Sequence, residues 1–362
     1  MADLGQAAIR IGVVLENADR SPDQPVFRGL QLCAEAANST TGVAGRDVEL
    51  VFRRAEGAHA GLPENCVTAW AELAADPGVI GIIGPGISDN CLPLIAPVEA
   101  GRVPTLQWSG ADEARGEWYF QFPWGSLTDE SDYLVELLRT LGHRRVGVLH
   151  AGVVGARYLA AFSEGATTAG IDIVATRSAP VSRDDVVAEV TDIHDAAPDA
   201  VVFLGMGEPT LAFGRAINEL RWDVPRFANI AMLGAALDKE SLSVNEGIIW
   251  TDQYDGDKPL VRDIRAGYEK RYRRRAPQAG QLGVGYDMMT LLVAGLRRAP
   301  HLTRAGLKAG LEKVRNLPCA TGGPRAIMGY GPWDRSAIKG ADMFIYRTIR
   351  DGAPIAYPVQ RR

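Results

Sequence analysis

Short apolar runs alternate with segments of helical spacing through the first part of the chain. Val79–Ile83 is apolar or glycine at every position, which is typical of a strand buried on both faces of a parallel sheet. The intervening segments carry apolar residues three and four positions apart, as a helix packed on a sheet requires. This alternation predicts a doubly wound parallel α/β sheet. The predicted elements are strand Ile9–Leu15, helix Pro22–Ser39, strand Val48–Phe52, helix Pro63–Ala75, strand Val79–Ile83, helix Asn90–Ala100 and strand Val103–Gln107.

A second alternation of the same kind occupies the middle of the chain. It begins within Arg115–Gly125, an irregular and aromatic-rich segment that we interpret as a crossover between two lobes. After Gly247 the pattern changes to longer helices with short strands. The predicted strands are Trp118–Phe122, Arg145–His150, Ile171–Thr176, Ala200–Leu204, Arg226–Ile230 and Ile248–Trp250, and the predicted helices are Leu127–Leu141, Gly155–Ala169, Asp184–Ala196, Pro209–Leu220, Pro259–Arg274, Gly283–Arg298 and Thr303–Val314.

Composition places the chain among ordinary globular proteins. Its 362 residues predict two domains or one large one, and 46% hydrophobic residues supply sizeable cores. The formal net charge of −5 argues against a strong polyelectrolyte partner, so nucleic-acid binding is not expected. No apolar run approaches the roughly 18–20 residues that span a bilayer, so membrane insertion is not expected either.

The cysteines and the N-terminal residues leave the cellular compartment open. Cys33, Cys66, Cys91 and Cys319 are far apart and too few for a disulfide scaffold in a chain of this length. Met1–Ala8 has neither the basic nor the apolar region of a signal peptide. The sequence therefore indicates either a cytoplasmic protein or an exported one whose signal peptide has been removed.

Motifs for catalysis and cofactor binding are missing from the sequence. There is no GxxxxGK[ST] phosphate-binding loop, no GxSxG nucleophile elbow and no HExxH metal motif. Gly205–Gly207 and Gly283–Gly285 lack the third glycine of a dinucleotide fingerprint. The five histidines are isolated, which disfavours a metal site built from them. We therefore expect no enzymatic activity, no cofactor and no metal.

Two loops carry the candidate binding chemistry. Gly84–Asn90 joins a buried strand to a helix, and its glycines let a ligand approach backbone N–H groups at the helix start. Ser88 in this loop either caps the helix or donates its hydroxyl group to a ligand. Trp108–Ala111 follows the next strand. In open parallel sheets, ligands bind outside the carboxyl ends of the strands, where both loops lie.

Several further segments complete a recognisable series along nearly the whole chain. They are Ile9–Val14, Arg28–Asn38, Gly45–Leu50, Val79–Pro85, Ile95–Pro104, Gly247–Trp250, Gly285–Asp287 and Gly331–Gly340. In order and spacing they resemble the type I periplasmic binding proteins, specifically the branched-chain amino-acid binding family of ABC-transporter components, which includes Leu/Ile/Val-binding proteins. No single segment is specific, whereas the series is.

The resemblance implies two doubly wound α/β lobes joined by three crossovers, with a ligand cleft between them. The crossovers are expected near Phe120–Trp124, Thr251–Tyr254 and Gly331–Trp333. Lobe one would comprise residues 1–121 plus 253–330, and lobe two residues 122–252 plus 331–362. The break at Arg115–Gly125 and the change after Gly247 agree with this division.

The resemblance also implies a set of ligand-binding residues. In amino-acid binders of this family, the first lobe holds the ligand carboxylate, and Ser88 together with Ser109, Gly110 and Ala111 occupies the matching positions. In the second lobe the family supplies aromatic residues and an acid for the ligand's ammonium group. The matching positions here are Gly155, Met206 and Ala231, and the segment Phe227–Met232 contains no acid.

These departures favour a larger or more apolar ligand over an α-amino acid, because a buried ammonium group without a counter-charge is costly. Trp108, Trp124, Met206 and Tyr286 are candidates to line the enlarged cavity. Each has a structural alternative: Trp108 as core, Trp124 as packing at the crossover, Met206 as strand-end packing and Tyr286 as support for the hinge.

The expected function is that of a solute-binding protein for an ABC importer. It would take an aromatic or other apolar carboxylate or amide by lobe closure and deliver it to membrane permease subunits. In that case the mature protein is periplasmic or at the cell surface. The alternative is a cytoplasmic ligand sensor on the same fold, resembling amide-responsive regulators that sequester a partner protein.

Overall fold

A computed structural model describes residues 7–16, 24–55, 63–206, 209–232, 239–276, 279–340 and 342–359. The helices of these residues are α1 (Pro25–Asn38), α2 (Pro63–Ala75), α3 (Ser88–Cys91), α4 (Ile95–Gly101), α5 (Leu127–Leu141), α6 (Gly152–Ala169), α7 (Val187–Asp195), α8 (Pro209–Glu219), α9 (Lys239–Val244), α10 (Pro259–Tyr272), α11 (Ala279–Arg298) and α12 (Arg304–Leu311). The strands are β1 (Ile9–Leu15), β2 (Val48–Arg54), β3 (Val79–Ile83), β4 (Thr105–Gln107), β5 (Tyr119–Gln121), β6 (Arg145–Ala151), β7 (Asp172–Ala179), β8 (Ala200–Leu204), β9 (Arg226–Ala228), β10 (Ile249–Asp252), β11 (Leu317–Pro318), β12 (Ile327–Met328), β13 (Ile338–Lys339), β14 (Ile345–Arg350) and β15 (Ala353–Ala356).

Contacts between residues divide the chain into two compact units. Unit 1 consists of Met1–Ser126 with Tyr254–Met343, and unit 2 of Leu127–Gln253 with Phe344–Arg362. The chain therefore passes from one unit to the other three times. Residues 331–343, which the sequence-based division gives to lobe two, lie in unit 1 because β13 pairs with β12 of that unit.

Unit 1 is built on a parallel sheet with the strand order β2-β1-β3-β4-β5. Side chains from α2 and α4, among them Trp70, Leu73 and Val98, form one core with residues of β1 and β3. The short strands β11, β12 and β13 form a separate antiparallel sheet in the same unit.

Unit 2 contains a sheet of strand order β15-β14-β10-β9-β8-β6-β7. The strands from β10 to β7 in this order are parallel, and β14 and β15 add an antiparallel edge. Along β8, Val201 and Phe203 face one core while Val202 and Leu204 face another, so the sheet is buried on both sides. Both units thus confirm the predicted doubly wound α/β class.

The predicted helix Asn90–Ala100 is interrupted in the structure. It consists of α3, a 3₁₀ turn at Leu92–Leu94, and α4. Pro93 explains the change, because proline has no backbone N–H to donate to the preceding turn and its ring crowds that turn. The consequence is a short first segment that positions Ser88 and Asn90 next to the loop after β3.

Helices α1 and α11 approach each other closely enough to require glycine at their crossing. A Cβ atom built on Gly285 would lie 1.8 Å from the carbonyl oxygen of Val26, and one on Gly29 would lie 2.2 Å from that of Leu282. Neither position can hold a side chain unless the two backbones separate. The crossing also places Tyr286, the next residue of α11, beside the start of α1.

We predict that Gly285→Ala destabilises the protein by roughly 1–3 kcal/mol, because the added methyl group must push α1 away from α11. Gly267→Ala is the matched control, since a Cβ atom there meets nothing within 4 Å and the residue lies in α10. This control is expected to stabilise the protein by up to about 1 kcal/mol through its higher helix propensity. Urea unfolding of both variants checks the prediction, and equal stability of the two would contradict it.

Candidate functional site

The carboxyl ends of β1, β3 and β4 bring a small set of polar groups together in unit 1. Glu16 directly follows β1 and is 1% exposed. One of its carboxylate oxygens accepts hydrogen bonds from the backbone N–H groups of Gly86 and Ile87, the latter at 3.0 Å. The other oxygen accepts one from Asn90 Nδ2 at 2.9 Å. Burial raises the pKa of this carboxyl group above its usual range, and the three donors oppose that shift.

Ser88 is the first residue of α3 and does not cap it. The N-cap position is held by Ile87, and no side chain caps this helix, so the predicted capping role is wrong. Among the described residues, the half-buried hydroxyl group of Ser88 has no hydrogen-bond partner. The ligand-binding alternative for Ser88 stays a prediction.

Trp108 packs against the loop that precedes Ser88. A Cβ atom on Gly86 would lie 2.0 Å from the indole Nε1, so only glycine leaves room for the ring. The indole is 6% exposed and meets Phe27 of α1 edge to face, with 6.2 Å between ring centroids. Within unit 1, the contacts of Trp108 are those of a core residue.

Ser109, Gly110 and Ala111 are buried in unit 1, and Ser109 and Ala111 are hydrogen-bonded there. The N–H of Ser109 donates to Gln107 Oε1 at 2.6 Å, and the N–H of Ala111 donates to Ser109 Oγ at 3.2 Å. Gln121 Nε2 donates to the carbonyl oxygens of Ser109 and Ala111. Ser109 and Ala111 thus belong to an internal network, and contact of Ser109, Gly110 and Ala111 with a ligand stays a prediction.

Tyr286 belongs to the α1–α11 crossing and is half-buried there. Burial raises the pKa of its phenol above the usual value. The adjacent Asp287 is fully buried and accepts the N–H groups of Ala320 and Thr321, each at 2.8 Å. Burial raises the pKa of Asp287 to about 6. Asp287 thereby holds the segment before β12. On α1, Gly29 lies against the backbone of Tyr286, and Phe27 contacts Trp108.

In unit 2, Gly155 and Met206 lie where β8 ends. A Cβ atom on Gly155 would lie 2.5 Å from the carbonyl oxygen of Leu204, so this glycine is required by the approach of α6 to β8. Packing of α6 against β8 therefore requires glycine at position 155, independently of any ligand cavity. Met206 is 51% exposed, whereas Ala231 is 6% exposed.

Sequence reasoning missed a buried carboxylate beneath the segment Phe227–Met232. Glu130 of α5 is fully buried and accepts hydrogen bonds from the N–H of Ile230 and from the hydroxyl groups of Thr251 and Tyr158. Burial raises the pKa of Glu130 to about 7. The segment itself contains no acid, as the sequence indicates, but an acid from a distant helix reaches its backbone.

Both missed acids have a sequence signal that is visible in retrospect. Glu16 immediately follows the apolar run Ile11–Leu15, and Glu130 occupies an inward position of an amphipathic helix, between Leu127 and Leu134. An acid at such a position is expected to find buried donors. The described residues contain no group of three His, Cys, Asp or Glu side chains that can hold a metal ion. All four cysteines are buried free thiols.

A family model described as periplasmic binding protein matches residues 9–353 of the chain. This match covers most of the sequence and confirms the resemblance to type I periplasmic binding proteins. A sequence search of curated proteins finds no match. Among the described residues, no helix has both the length and the apolar character needed to cross a membrane.

Solved structures of low sequence identity share the fold. A periplasmic binding protein type 1 from Bordetella pertussis Tohama I has 19% identity and a TM-score of 0.81, with 97% of this chain and 100% of that chain covered. An ABC transporter substrate-binding protein from Desulfitobacterium hafniense, solved in complex with Leu, has 19% identity, a TM-score of 0.80 and the same coverage. A leucine-binding protein from Thermotoga maritima MSB8 has 18% identity and a TM-score of 0.78, with 97% and 98% covered.

We predict that Glu130 makes unit 2 less stable as the pH rises from about 5 to 8. Its folded-state pKa of about 7 lies above the ordinary value of 4.5, so the folded chain holds this proton more strongly than the unfolded chain does. The stabilisation is complete below about pH 4.5 and is lost as the pH passes through about 7, a change of roughly 3 kcal/mol.

Glu130→Gln is the test variant, because glutamine keeps an acceptor for Ile230 and a donor for the Tyr158 oxygen but cannot titrate. The free energy of unfolding, measured in urea at pH 5 to 8, should fall less steeply with pH in the variant than in the wild type. Parallel pH profiles for the two proteins would show that Glu130 does not titrate in this range.

Proposed function

The chain belongs to the periplasmic binding protein family, and we propose that it binds one small organic ligand as the solute-binding component of an ABC importer. In the proposed mechanism, the ligand favours closure of the two units by shifting an existing equilibrium between open and closed forms. Permease subunits in the membrane are the proposed partners. We also propose that the protein has no enzymatic activity, since the family consists of substrate-binding proteins.

One observation carries the proposal for the binding residues. On the family fold, the hydroxyl group of Ser88 lies free among the described residues, at the carboxyl edge of a parallel sheet and next to the Gly86 loop that Trp108 covers. Ligands of open α/β sheets bind at this edge. The proposed ligand-binding residues remain Ser88, Trp108, Ser109, Gly110, Ala111 and Tyr286 from unit 1 and Gly155 and Met206 from unit 2.

An aromatic or other apolar carboxylate or amide is the proposed ligand class. The Desulfitobacterium hafniense structure contains leucine, yet the unit 2 segment Phe227–Met232 offers no acid to an ammonium group. Glu130 does not replace such an acid, because it is fully buried and three donors already bind its oxygens. An ammonium ligand would therefore lack a charged partner on this segment.

The proposed location is the periplasm or the cell surface. Members of this family are typically periplasmic, and the proposal extends that location to this chain. The alternative is a ligand-sensing regulator inside the cytoplasm. Fractionation of the native organism, with detection of the protein by antibody, separates the two locations.

We predict that the protein is stabilised by at least one member of a panel of aromatic acids, amides and α-amino acids in a thermal-shift screen. A ligand present at about 100 times its dissociation constant adds about 2.7 kcal/mol, which such a screen detects readily. Calorimetry then gives the affinity, and small-angle scattering with and without the ligand tests closure.

Ser88→Ala should lower the affinity for that ligand roughly twofold to tenfold, as expected for one lost hydrogen bond. Ser178→Ala is the matched control, since Ser178 is an exposed residue of β7. No stabilisation by any member of the panel would count against solute binding. Turnover of a bound compound would instead contradict the absence of enzymatic activity.

A further inference from the structure

We propose that Glu16 determines the charge of the ligand group that unit 1 accepts, because its carboxylate already occupies the donors of the loop before Ser88. A ligand that presents an amide or another uncharged polar group to this loop should bind better than the matching carboxylate. The inference rests on the proposed function, since it narrows the ligand class at the same site.

The carboxylate of Glu16 fills the place that a ligand carboxylate would need at this loop. It is 1% exposed and binds the N–H groups of Gly86 and Ile87 and the side-chain amide of Asn90. All three partners are donors, which suits an ionised carboxylate that accepts at both oxygens. A protonated carboxyl group would turn its O–H towards one of these donors.

The negative charge of Glu16 is not offset by a cation. No Lys, Arg or His side chain among the described residues forms an ion pair with it. The other titratable groups close enough to interact with it are Cys66 of α2, Cys91 of α3 and Tyr119 of β5. Burial raises the pKa of each of these three, so they are neutral near pH 7. In the ionised form that these donors favour, the charge is balanced by N–H dipoles alone and acts on a nearby ligand.

In the neighbouring loop, two further N–H groups are already hydrogen-bonded within unit 1. The N–H groups of Ser109 and Ala111 are bound to Gln107 Oε1 and Ser109 Oγ. The hydroxyl group of Ser88 both donates and accepts, so it serves an amide as well as a carboxylate. A ligand carboxylate placed about 4 Å from the Glu16 carboxylate would bind roughly fivefold more weakly if the pair were screened by bulk water. Near a protein surface the loss of affinity would be up to roughly a thousandfold.

Chemical rescue tests whether the loop is a carboxylate pocket that Glu16 fills. In Glu16→Ala the N–H groups of Gly86 and Ile87 lose their acceptor, and we expect the Tm to fall by roughly 5–10 °C. Sodium formate at about 100 mM should restore roughly 3 °C in this variant, compared with sodium chloride at equal ionic strength. The wild type and the exposed-residue control Glu49→Ala should show no such gain.

Matched acid and amide probes test the effect on ligand charge. The wild type should bind benzamide at least fivefold more tightly than benzoate, as measured by calorimetry at pH 7.5. In Glu16→Gln, which keeps the side-chain shape and removes the charge, this ratio should move towards benzoate by fivefold or more. Glutamine fills the pocket, so formate should not stabilise Glu16→Gln. The test of ligand charge with this variant does not depend on whether Glu16→Ala folds.

The two readouts separate this inference from the proposed function. Equal formate effects in Glu16→Ala, Glu49→Ala and the wild type would overturn the placement of the carboxylate, whatever the ligand. An unchanged acid-to-amide ratio in Glu16→Gln would overturn the effect on ligand charge. Rescue by formate together with no binding of either probe by any variant would overturn the charge selection, while solute binding itself is judged by the wider panel.

Discussion

The carboxyl edge of unit 1 depends on one buried carboxylate that is satisfied by N–H donors. Glu16 binds the backbone of Gly86 and Ile87 and the side chain of Asn90, and thus connects the end of β1 to the loop after β3. A buried charge without these donors would cost several kcal/mol. The requirement to satisfy it therefore fixes the backbone on which Trp108 packs and from which Ser88 projects.

The same device recurs at two other places in the chain. Glu130 binds the N–H of Ile230 in unit 2, and Asp287 binds those of Ala320 and Thr321 in unit 1. Each acid comes from an element far from its partner loop in the sequence. Burial raises the pKa of all three acids, which shows that the donors only partly offset the lost hydration. Loops held in this way are preorganised, and the raised pKa values of the acids make the stability of the loops depend on pH.

Much of the fold could be predicted from the sequence because strands buried on both faces carry continuous apolar runs. Val79–Ile83 and Ala200–Leu204 match β3 and β8 residue for residue. The short-range features were less predictable. Ser88 does not cap α3, since Ile87 holds the N-cap position, and the helix after it is interrupted at Pro93. The roles of Glu16 and Glu130 depend on partners brought in by tertiary packing, which periodicity along one segment does not encode.

The buried acids change the reasoning about ligand charge without reversing it. The sequence disfavours an ammonium ligand because Phe227–Met232 lacks an acid, and the structure supplies one, Glu130, whose oxygens are already bound. On unit 1 the resemblance to amino-acid binders favours a ligand carboxylate near Ser88. Glu16, however, already accepts the hydrogen bonds of the neighbouring N–H groups of Gly86 and Ile87. A cation therefore lacks a free partner on the unit 2 segment, and an anion meets an existing charge at the unit 1 loop. An uncharged polar group such as an amide avoids both costs, and this favours the amide side of the proposed ligand class.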